Sequence, residues 1–487
     1  MSSISESGVV EAVGKELFIG GKWTAAAGGK TFAVSDPSTG KVLCEIADAS
    51  PADGMAALDA AVGAQAAWAA YAPRERGEIL RRAYDLLLHR ADELALLMTL
   101  EMGKPLAEAK GEITYAAEFF RWFAEEAVRI DGGYAVAPNG VGRFLVTKQP
   151  VGPTLLITPW NFPMAMGTRK IGPAIAAGCT MVIKPAAQTP LSMLALTGIL
   201  VEAGLPEGVL NVLTTTDSGG VMEPLIRDGR ARKLSFTGST AVGRKLLEQC
   251  ADKVLRTSME LGGNAPFVVF DDADLDAAID GVMQAKMRNI GEACTAANRI
   301  YVQSGIVDEF SRRLTERMSA LPMGRGTEPG VVVGPLIDEA AVKKVSELVK
   351  DATDRGAQVL TGGSAVDGPG HFYPATVLVG VSAESRLTQE EIFGPVAPVF
   401  TFDTEDEAVT AANNTEFGLV SYLYTSDLKR GLRVSERLEA GMIGLNQGVV
   451  SNPAAPFGGI KQSGLGREGG TVGIDEFLEV KYIAVSL

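Results

Sequence analysis

The chain has 487 residues, 46% of them hydrophobic and 21% charged, with a formal net charge of −14. That length is more than one small core needs and suggests two or three domains, on a prior of about 150 residues each. The acidic balance and the lack of a dense Lys/Arg run exclude a phosphate-neutralising surface, so nucleic acid is not an expected partner. The N-terminus, Met1-Ser-Ser-Ile-Ser-Glu-Ser-Gly8, has no basic segment leading into an apolar one, and no apolar run reaches about 18 residues; neither a secretion signal nor a membrane span is expected. Cys44, Cys179, Cys250 and Cys294 form no Cys-x-x-Cys pair, which fits a reducing cytoplasm. His89 and His371 are the only histidines, too few for a His-rich metal site or a Ser/His/Asp triad, and no metal is expected.

Taken in order, residues 1–50 alternate short apolar runs with turn residues and predict hairpins, as in Leu17-Phe-Ile-Gly-Gly-Lys-Trp23. From Pro51 to about Ile130 apolar residues recur at helical spacing, and the aromatics Phe119, Phe120, Trp122 and Phe123 read as a helix packed on a sheet. Arg143-Phe-Leu-Val-Thr-Lys148 alternates like a half-exposed strand ended by Gln149-Pro150, a candidate subunit contact. Five β-rich runs follow, Thr154–Thr158, Thr180–Lys184, Val209–Leu213, Lys233–Phe236 and Ala265–Phe270, most of them separated by helical patterns. That alternation predicts an α/β fold with a parallel, doubly wound sheet whose ligands bind at the carboxyl ends of the strands.

The distinctive residues fall at those ends. Gly238-Ser239-Thr240 opens a helix with free N–H groups suited to a pyrophosphate. The run Gly238 to Lys245 fails the ATP-binding pattern, because Arg244 stands where lysine is needed and no Ser/Thr follows Lys245. Gly464-Leu-Gly466-Arg-Glu-Gly469 is a literal G-x-G-x-x-G, but no strand precedes it and too little chain follows; it reads as a structural turn. The centre of the chain is Met259-Glu-Leu-Gly-Gly-Asn-Ala-Pro266 with Gly291-Glu-Ala-Cys294: a carboxylate, Glu260, in a Gly-rich turn and one cysteine beyond it, a base and a nucleophile.

Pro159-Trp-Asn-Phe-Pro163, Phe236-Thr-Gly-Ser-Thr240, Glu260-Leu-Gly-Gly-Asn-Ala-Pro266, Cys294, Glu391-Ile-Phe-Gly-Pro395 and Pro456-Phe-Gly-Gly-Ile-Lys-Gln-Ser-Gly-Leu-Gly466 stand in an order that resembles the NAD(P)-dependent aldehyde dehydrogenases. Within that superfamily the chain is most similar to succinate-semialdehyde dehydrogenases, over nearly its whole length. The resemblance implies a Rossmann-like cofactor domain (1–131 and 151–260), an α/β catalytic domain (261–462) and a small β oligomerisation arm (132–150 and 470–487) in a homodimer or homotetramer. It implies Cys294 as the nucleophile, Asn161 as oxyanion donor with the Cys294 N–H, and Glu260 as the base that hydrolyses the thioester. It places Trp160 and Lys184 along the adenosine side of the cofactor, Gly238 and Ser239 at the pyrophosphate, and Glu391 and Phe393 at the nicotinamide ribose and ring. Arg169, Arg288 and Ser451 fall where such enzymes hold the substrate carboxylate.

Three departures bear on function. Ala187, three residues after Lys184, stands where NAD-preferring members carry a Glu, so NADP is the expected cofactor, with NAD the alternative; Asp217 could sit near the adenine end. Thr295 and Ala296 follow Cys294 where several relatives have a second cysteine, so an inhibitory local disulfide is not expected. Glu292 replaces the usual Gln and is expected to point outward, since charges are seldom buried unpaired. The expected substrate is a short ω-carboxylated aldehyde, succinate semialdehyde first; glutarate semialdehyde, 2-oxoglutarate semialdehyde and an uncharged aldehyde are the alternatives. A CoA-acylating relative is disfavoured by Glu260, and an inert one by Cys294, Glu260 and Asn161 together.

Overall fold

The computed structural model describes residues 5–486; Leu487 of the predicted arm and Met1–Ile4 of the N-terminal reading lie outside the described residues. Five short parallel strands form its centre, in the order Leu210–Val212, Met181–Lys184, Thr154–Ile157, Lys233–Thr237, Arg256–Glu260. The chain starts in the middle strand, winds outward one way, then returns and winds outward the other. This reversal opens a crevice between Thr154–Ile157 and Lys233–Thr237, the place where a doubly wound sheet receives its ligand. The hairpin Leu17–Ile19 and Lys22–Thr24 extends one edge of the sheet, and Gly464–Leu465 adds antiparallel to Arg256–Glu260 at the other.

Every residue of Thr154–Ile157 and Met181–Lys184 is buried, as expected of strands covered on both faces. The two-residue period sorts them. Leu156, Met181 and Ile183 join a core with Phe119, Phe120 and Phe123 of the helix Leu106–Glu126, while Leu155, Ile157 and Val182 face a second core with Leu58 of Pro51–Ala69 and Leu225 of Ser218–Asp228. Full burial of each Leu or Ile contributes about 1.5–3 kcal/mol. The helix Ala165–Ala177, which follows the Pro159–Pro163 turn, has no side-chain cap of its own; Glu112 supplies one from outside, Oε1 accepting the Met164 and Ala165 N–H groups at 2.9 and 3.1 Å.

A second sheet carries the order Gln358–Thr361, Thr376–Val379, Val396–Phe402, Ala297–Gln303, Ala265–Val269, Val420–Tyr424, Met442–Leu445, with its own apolar core. Two sequence expectations are corrected here. Ala265–Phe270 belongs to this sheet, and the fifth parallel strand of the first sheet is Arg256–Glu260, whose polar ends and mixed pattern hide it. Glu260 is therefore the last residue of a strand, paired with Gly464, and not part of a turn. The Gly464 to Gly469 stretch opens with the short strand Gly464–Leu465 and lies beside Glu260.

A three-stranded antiparallel sheet of Gly133–Val136, Arg143–Pro150 and Leu478–Val485 is separate from both large sheets. The ribbon runs through Gln149-Pro150 because Leu478 pairs with Pro150 in an antiparallel register that leaves proline's missing N–H unneeded. Ile474, Phe477 and Leu478 are buried in the first core, so the exposed apolar part of the tail begins only at Val480. No helix among the described residues is long and apolar enough to cross a membrane.

Candidate active site

A cavity of about 290 Å³ occupies the mouth of the crevice, between the two large sheets. Strand Thr154–Ile157 delivers Trp160 and Asn161 to it, strand Lys233–Thr237 delivers Gly238 and Ser239, and strand Arg256–Glu260 ends on Glu260. Cys294 comes from the loop between the helix Leu275–Met287 and the strand Ala297–Gln303. Arg169, Arg288, Glu391, Phe393 and Ser451 complete the predicted set inside one cavity. Lys184 and Ala187 do not line it; they lie one strand away, at the end of Met181–Lys184.

The Cys294 loop is held under backbone strain. Asn289 and Ile290 have φ of 53° and 61°, and for a β-branched Ile this conformation costs about 1–3 kcal/mol. Asn289 Nδ2 donates to the carbonyls of Asn161 (3.0 Å) and Glu292 (2.9 Å), Asn161 Nδ2 donates to the Glu292 carbonyl (2.9 Å), and buried Lys104 Nζ donates to the Asn161 carbonyl (2.7 Å). The Asn161 amide is thus fixed in direction with its second N–H unused. Gly263 lets the Glu260 segment pass close to the nucleophile, since a Cβ there would come within 2.5 Å of the Cys294 carbonyl.

Burial pushes the Cys294 thiol up to about 12; Arg169 and Arg288 pull the other way, and the carboxylates Glu260 and Glu391 add to the rise. The sulfur reaches the cavity surface, yet its surroundings are protein on nearly every side. Neither Glu260 carboxyl oxygen has a partner, and both are buried at the cavity wall. Burial, followed by the Glu468 charge, raises Glu260 well above the carboxylate range against the pull of Arg169 and Lys170. A carboxylate whose pKa is raised in this way is, once ionised, a stronger base toward water.

The two arginines differ in a way the sequence does not reveal. Arg169 is buried, with Nε 2.5 Å from Glu468 Oε2 and its guanidinium 4.1 Å from the Phe457 ring centre; Lys170 Nζ lies 2.5 Å from the other oxygen of the same carboxylate. Its charge is shared. Arg288 has no carboxylate partner among the described residues. It donates to Ser451 Oγ at 2.8 Å and lies over Phe162 and Tyr115, 5.0 and 5.6 Å from their ring centres. Tyr115 was missed because it shares a helix face with Phe119, 5.0 Å away, and reads as one more core aromatic.

On the cofactor side, Ser239 caps the helix Thr240–Ala251, its Oγ accepting the Val242 N–H at 3.4 Å. Glu391 Oε1 accepts the Gly263 N–H at 3.1 Å, and burial raises this carboxyl to about 7. Phe393, at φ 56°, meets the Trp160 ring edge-on at 5.3 Å. Trp160 therefore lies beside Phe393, and its strand neighbours the one that ends on Lys184. Lys184 donates to Ser218 Oγ (3.0 Å) and the Pro185 carbonyl (3.1 Å), and burial lowers it to about 8 with no carboxylate opposing. A nine-tenths buried cation without a counter-charge fits an anionic group on the cofactor, as the 2′-phosphate of NADP would supply. Asp217 turns away from this pocket to cap its own helix, accepting the Gly220 N–H at 2.9 Å.

Glu292 departs most from expectation. It points inward and is fully buried, because the Ile337 N–H, 3.1 Å from Oε1, offers it a bond that the solvent side does not. It stands behind the cavity wall and does not line the cavity.

A parallel sheet with a crevice at its reversal, a strained cysteine loop, an aligned amide and a carboxyl without partners define an enzyme for acyl chemistry coupled to a nucleotide cofactor. The chain belongs to the aldehyde dehydrogenase family, which it matches over residues 23–483. It is 57% identical to a succinate-semialdehyde dehydrogenase of Paenarthrobacter nicotinovorans, over 91% of this chain and 99% of that one. It is 51% identical to a glutarate-semialdehyde dehydrogenase of Pseudomonas putida, over 97% and 98%. The crystal structure of an NADP-dependent enzyme of Escherichia coli superposes with a TM-score of 0.96 at 51% identity, covering 98% of each chain.

Cys294→Ser is expected to abolish aldehyde oxidation while cofactor still binds, and Glu260→Gln to give a burst of reduced cofactor followed by a slow steady rate. The sign of the pH effect follows from the raised Glu260 carboxyl. Below its pKa it carries a proton and cannot accept another, so the steady rate climbs with pH through that range in the wild type, and the Gln variant loses the climb. Rapid-mixing absorbance across pH measures both; burst and steady phases slowed equally in Glu260→Gln would remove Glu260 as the base.

Proposed function

We propose that this enzyme oxidises a short aldehyde bearing a terminal carboxylate, succinate semialdehyde first, to the diacid, with NADP as its preferred cofactor. Arg288 carries this reading: a guanidinium with no carboxylate partner, braced by Ser451 and two aromatic faces, at the wall of the cavity that holds Cys294. The similar chains named for succinate and glutarate semialdehydes support an acid aldehyde, and the second keeps glutarate semialdehyde as the alternative.

In the reaction so read, the Cys294 thiol gives up its proton to solvent in the cavity as its sulfur attacks the aldehyde carbon, and the developing oxyanion accepts from the free Asn161 N–H and the Cys294 backbone N–H. The nicotinamide, when bound, supplies the hydride acceptor. Glu260 then takes a proton from the water that attacks the Cys294 thioester, which releases the carboxylic acid and frees the thiol. Gly238, Ser239 and the helix behind them would cradle the pyrophosphate, Glu391 would hold the nicotinamide ribose and Phe393 would back the ring. Lys184, with Ser218 beside it and Ala187 in place of an acid, suits a 2′-phosphate. Arg169 is read as a supporting charge: with Lys170 it places two cations against the single Glu468 carboxylate, and the balance left over favours an anion nearby.

The proposed division is a cofactor unit (1–131 and 151–260), a catalytic unit (261–462) and an arm (132–150 and 470–487); the two large sheets and the three-stranded one support it, with Gly464–Leu465 returning to the first. A dimer or tetramer is the proposed assembly, because Tyr134, Val480 and Tyr482 are each about 65% exposed on the arm and leave an apolar face uncovered. All four cysteines are free, which supports a reducing, cytoplasmic setting.

Arg288→Ala is expected to lower kcat/KM for succinate semialdehyde roughly ten- to a hundredfold, the value of one charge-assisted pair, while butanal oxidation changes little. Equal losses on both aldehydes would assign Arg288 to the fold. Arg169→Ala should harm both, since it leaves Glu468 buried beside Glu260 with one cation fewer. Ala187→Glu is expected to shift the NADP/NAD ratio of kcat/KM toward NAD by at least tenfold, by adding a carboxylate that repels a 2′-phosphate; a wild type that already favours NAD would overturn the cofactor reading. Light scattering should give a multiple of 51.1 kDa, and Tyr482→Lys should shift the population toward monomer.

A further inference from the structure

Behind the nucleophile loop lies a carboxyl group that the acyl chemistry does not use. Glu292 is wholly buried, its Oε1 accepts the Ile337 N–H at 3.1 Å, and its Oε2 has no hydrogen-bond partner. The backbone carbonyl of the same residue accepts two side-chain amides, those of Asn161 and Asn289, each at 2.9 Å. Glu292 therefore joins three segments: the strand end carrying Asn161, the strained turn at Asn289 and Ile290, and the Ile337-Asp338 segment, which lines the cavity from the opposite side.

The charged groups around it come from each of these elements. Lys104, between the helices Ala91–Met102 and Leu106–Glu126, attracts it, but Lys104 Nζ is committed to Glu112 and to the Asn161 carbonyl. Asp338, at the start of the helix Glu339–Asp354, repels it. Glu108, on the helix Leu106–Glu126, accepts the Asn289 N–H at 3.1 Å, and Cys294 follows two residues along the same loop. Among the described residues no cation forms an ion pair with Glu292.

An ionised carboxylate presents acceptor positions on both oxygens, and burial of such a charge without a partner is costly. A carboxylic acid with one accepting oxygen suits the same place far better. Burial raises the Glu292 carboxyl well above its ordinary value, with the Ile337 N–H and Lys104 opposing and Asp338 adding to the rise.

We propose that Glu292 is a positioning residue acting as a neutral carboxylic acid: it braces the peptide that aligns the Asn161 amide against the cavity wall at Ile337. When alkali removes its proton, a negative charge appears behind Cys294 and opposes both thiolate formation and the entry of an anionic aldehyde. The inference rests on the reading that Cys294 and Asn161 carry the acyl chemistry.

Three variants of the full-length enzyme separate the possibilities. Glu292→Ala removes the brace and should slow the burst by roughly tenfold or more with cofactor KM little changed, as expected for lost alignment in the transition state. Glu292→Gln keeps an acceptor for the Ile337 N–H but cannot ionise. It should recover most of the burst rate lost in the alanine variant, and at alkaline pH it should exceed the wild type on succinate semialdehyde by roughly tenfold, about one unit of thiol pKa. Infrared difference spectra of wild type minus Glu292→Gln should show a carboxylic-acid C=O stretch at neutral pH that vanishes in alkali. The band does not depend on turnover and is measured also in Cys294→Ser. A Gln variant as impaired as Ala, a wild-type burst in Glu292→Ala, or a missing acid band would each overturn the proposal. Aldehyde oxidation by Cys294→Ser would instead overturn the active-site reading and leave the infrared result to stand for Glu292 alone.

Discussion

The backbone carbonyl of Asn161 is the point on which the site depends. It accepts from Lys104 Nζ and from Asn289 Nδ2, while the side chain of the same residue donates to the Glu292 carbonyl. One peptide thereby holds together the end of the central strand, the helix-capping pair Lys104 and Glu112, and the loop that carries Cys294. Lys104 and Glu112 are both about 1% exposed in their side chains, and Glu112 also caps the helix Ala165–Ala177 that bears Arg169. A buried pair is costly to break from one side, about 3–5 kcal/mol, because the remaining charge is left without a partner. The geometry of the oxyanion donor and of the Arg169 helix is therefore coupled to the same ion pair. Small displacements at the nucleophile are resisted from three directions at once.

That rigidity is what permits the strain. Asn289, Ile290 and Phe393 all hold positive φ without being glycine, and each borders the cavity or the loop behind Cys294. Such conformations persist only where surrounding contacts over-determine them. For Asn289 those contacts are three donated hydrogen bonds, one of them from its N–H to Glu108; for Ile290 they are burial in the core of the second sheet. The strain and the hydrogen bonds together select one loop conformation.

Much of this was legible in the chain itself, for a physical reason. Parallel strands covered on both faces are continuous apolar runs, so Thr154–Ile157 and Met181–Lys184 stand out, and the residues that follow them, Trp160, Asn161 and Lys184, fall at strand ends by arithmetic. Arg256–Glu260 was missed because its burial comes from long polar chains and a short antiparallel neighbour, which leave no apolar signature. The motif residues converge on one cavity, apart from Lys184 and Ala187. What the sequence could not show was pairing: that Arg169 is bound to Glu468, that Arg288 has no carboxylate, and that Glu292 turns inward. Ion pairs across some 300 positions of chain have no local pattern, and the inward turn of Glu292 depends on a single amide, Ile337 N–H, offered from a distant loop.

The electrostatics of the cavity then follow from how its charges are divided. Glu260, buried, and Glu391, half-buried, are carboxyls whose ordinary ionisation is disfavoured, while Arg169 and Arg288 place two guanidinium groups at the cavity. On the proposed reading, an anionic aldehyde would place its carboxylate at Arg288 and use part of that positive field, leaving less to stabilise a thiolate. Burial pushes the Cys294 thiol up to about 12, and the two guanidiniums oppose that rise without cancelling it. Of the cavity carboxyls, Glu260 has both oxygens without partners, whereas Glu391 is engaged by the Gly263 N–H, and this difference in hydrogen bonding suits Glu260 to the proposed proton transfer from water.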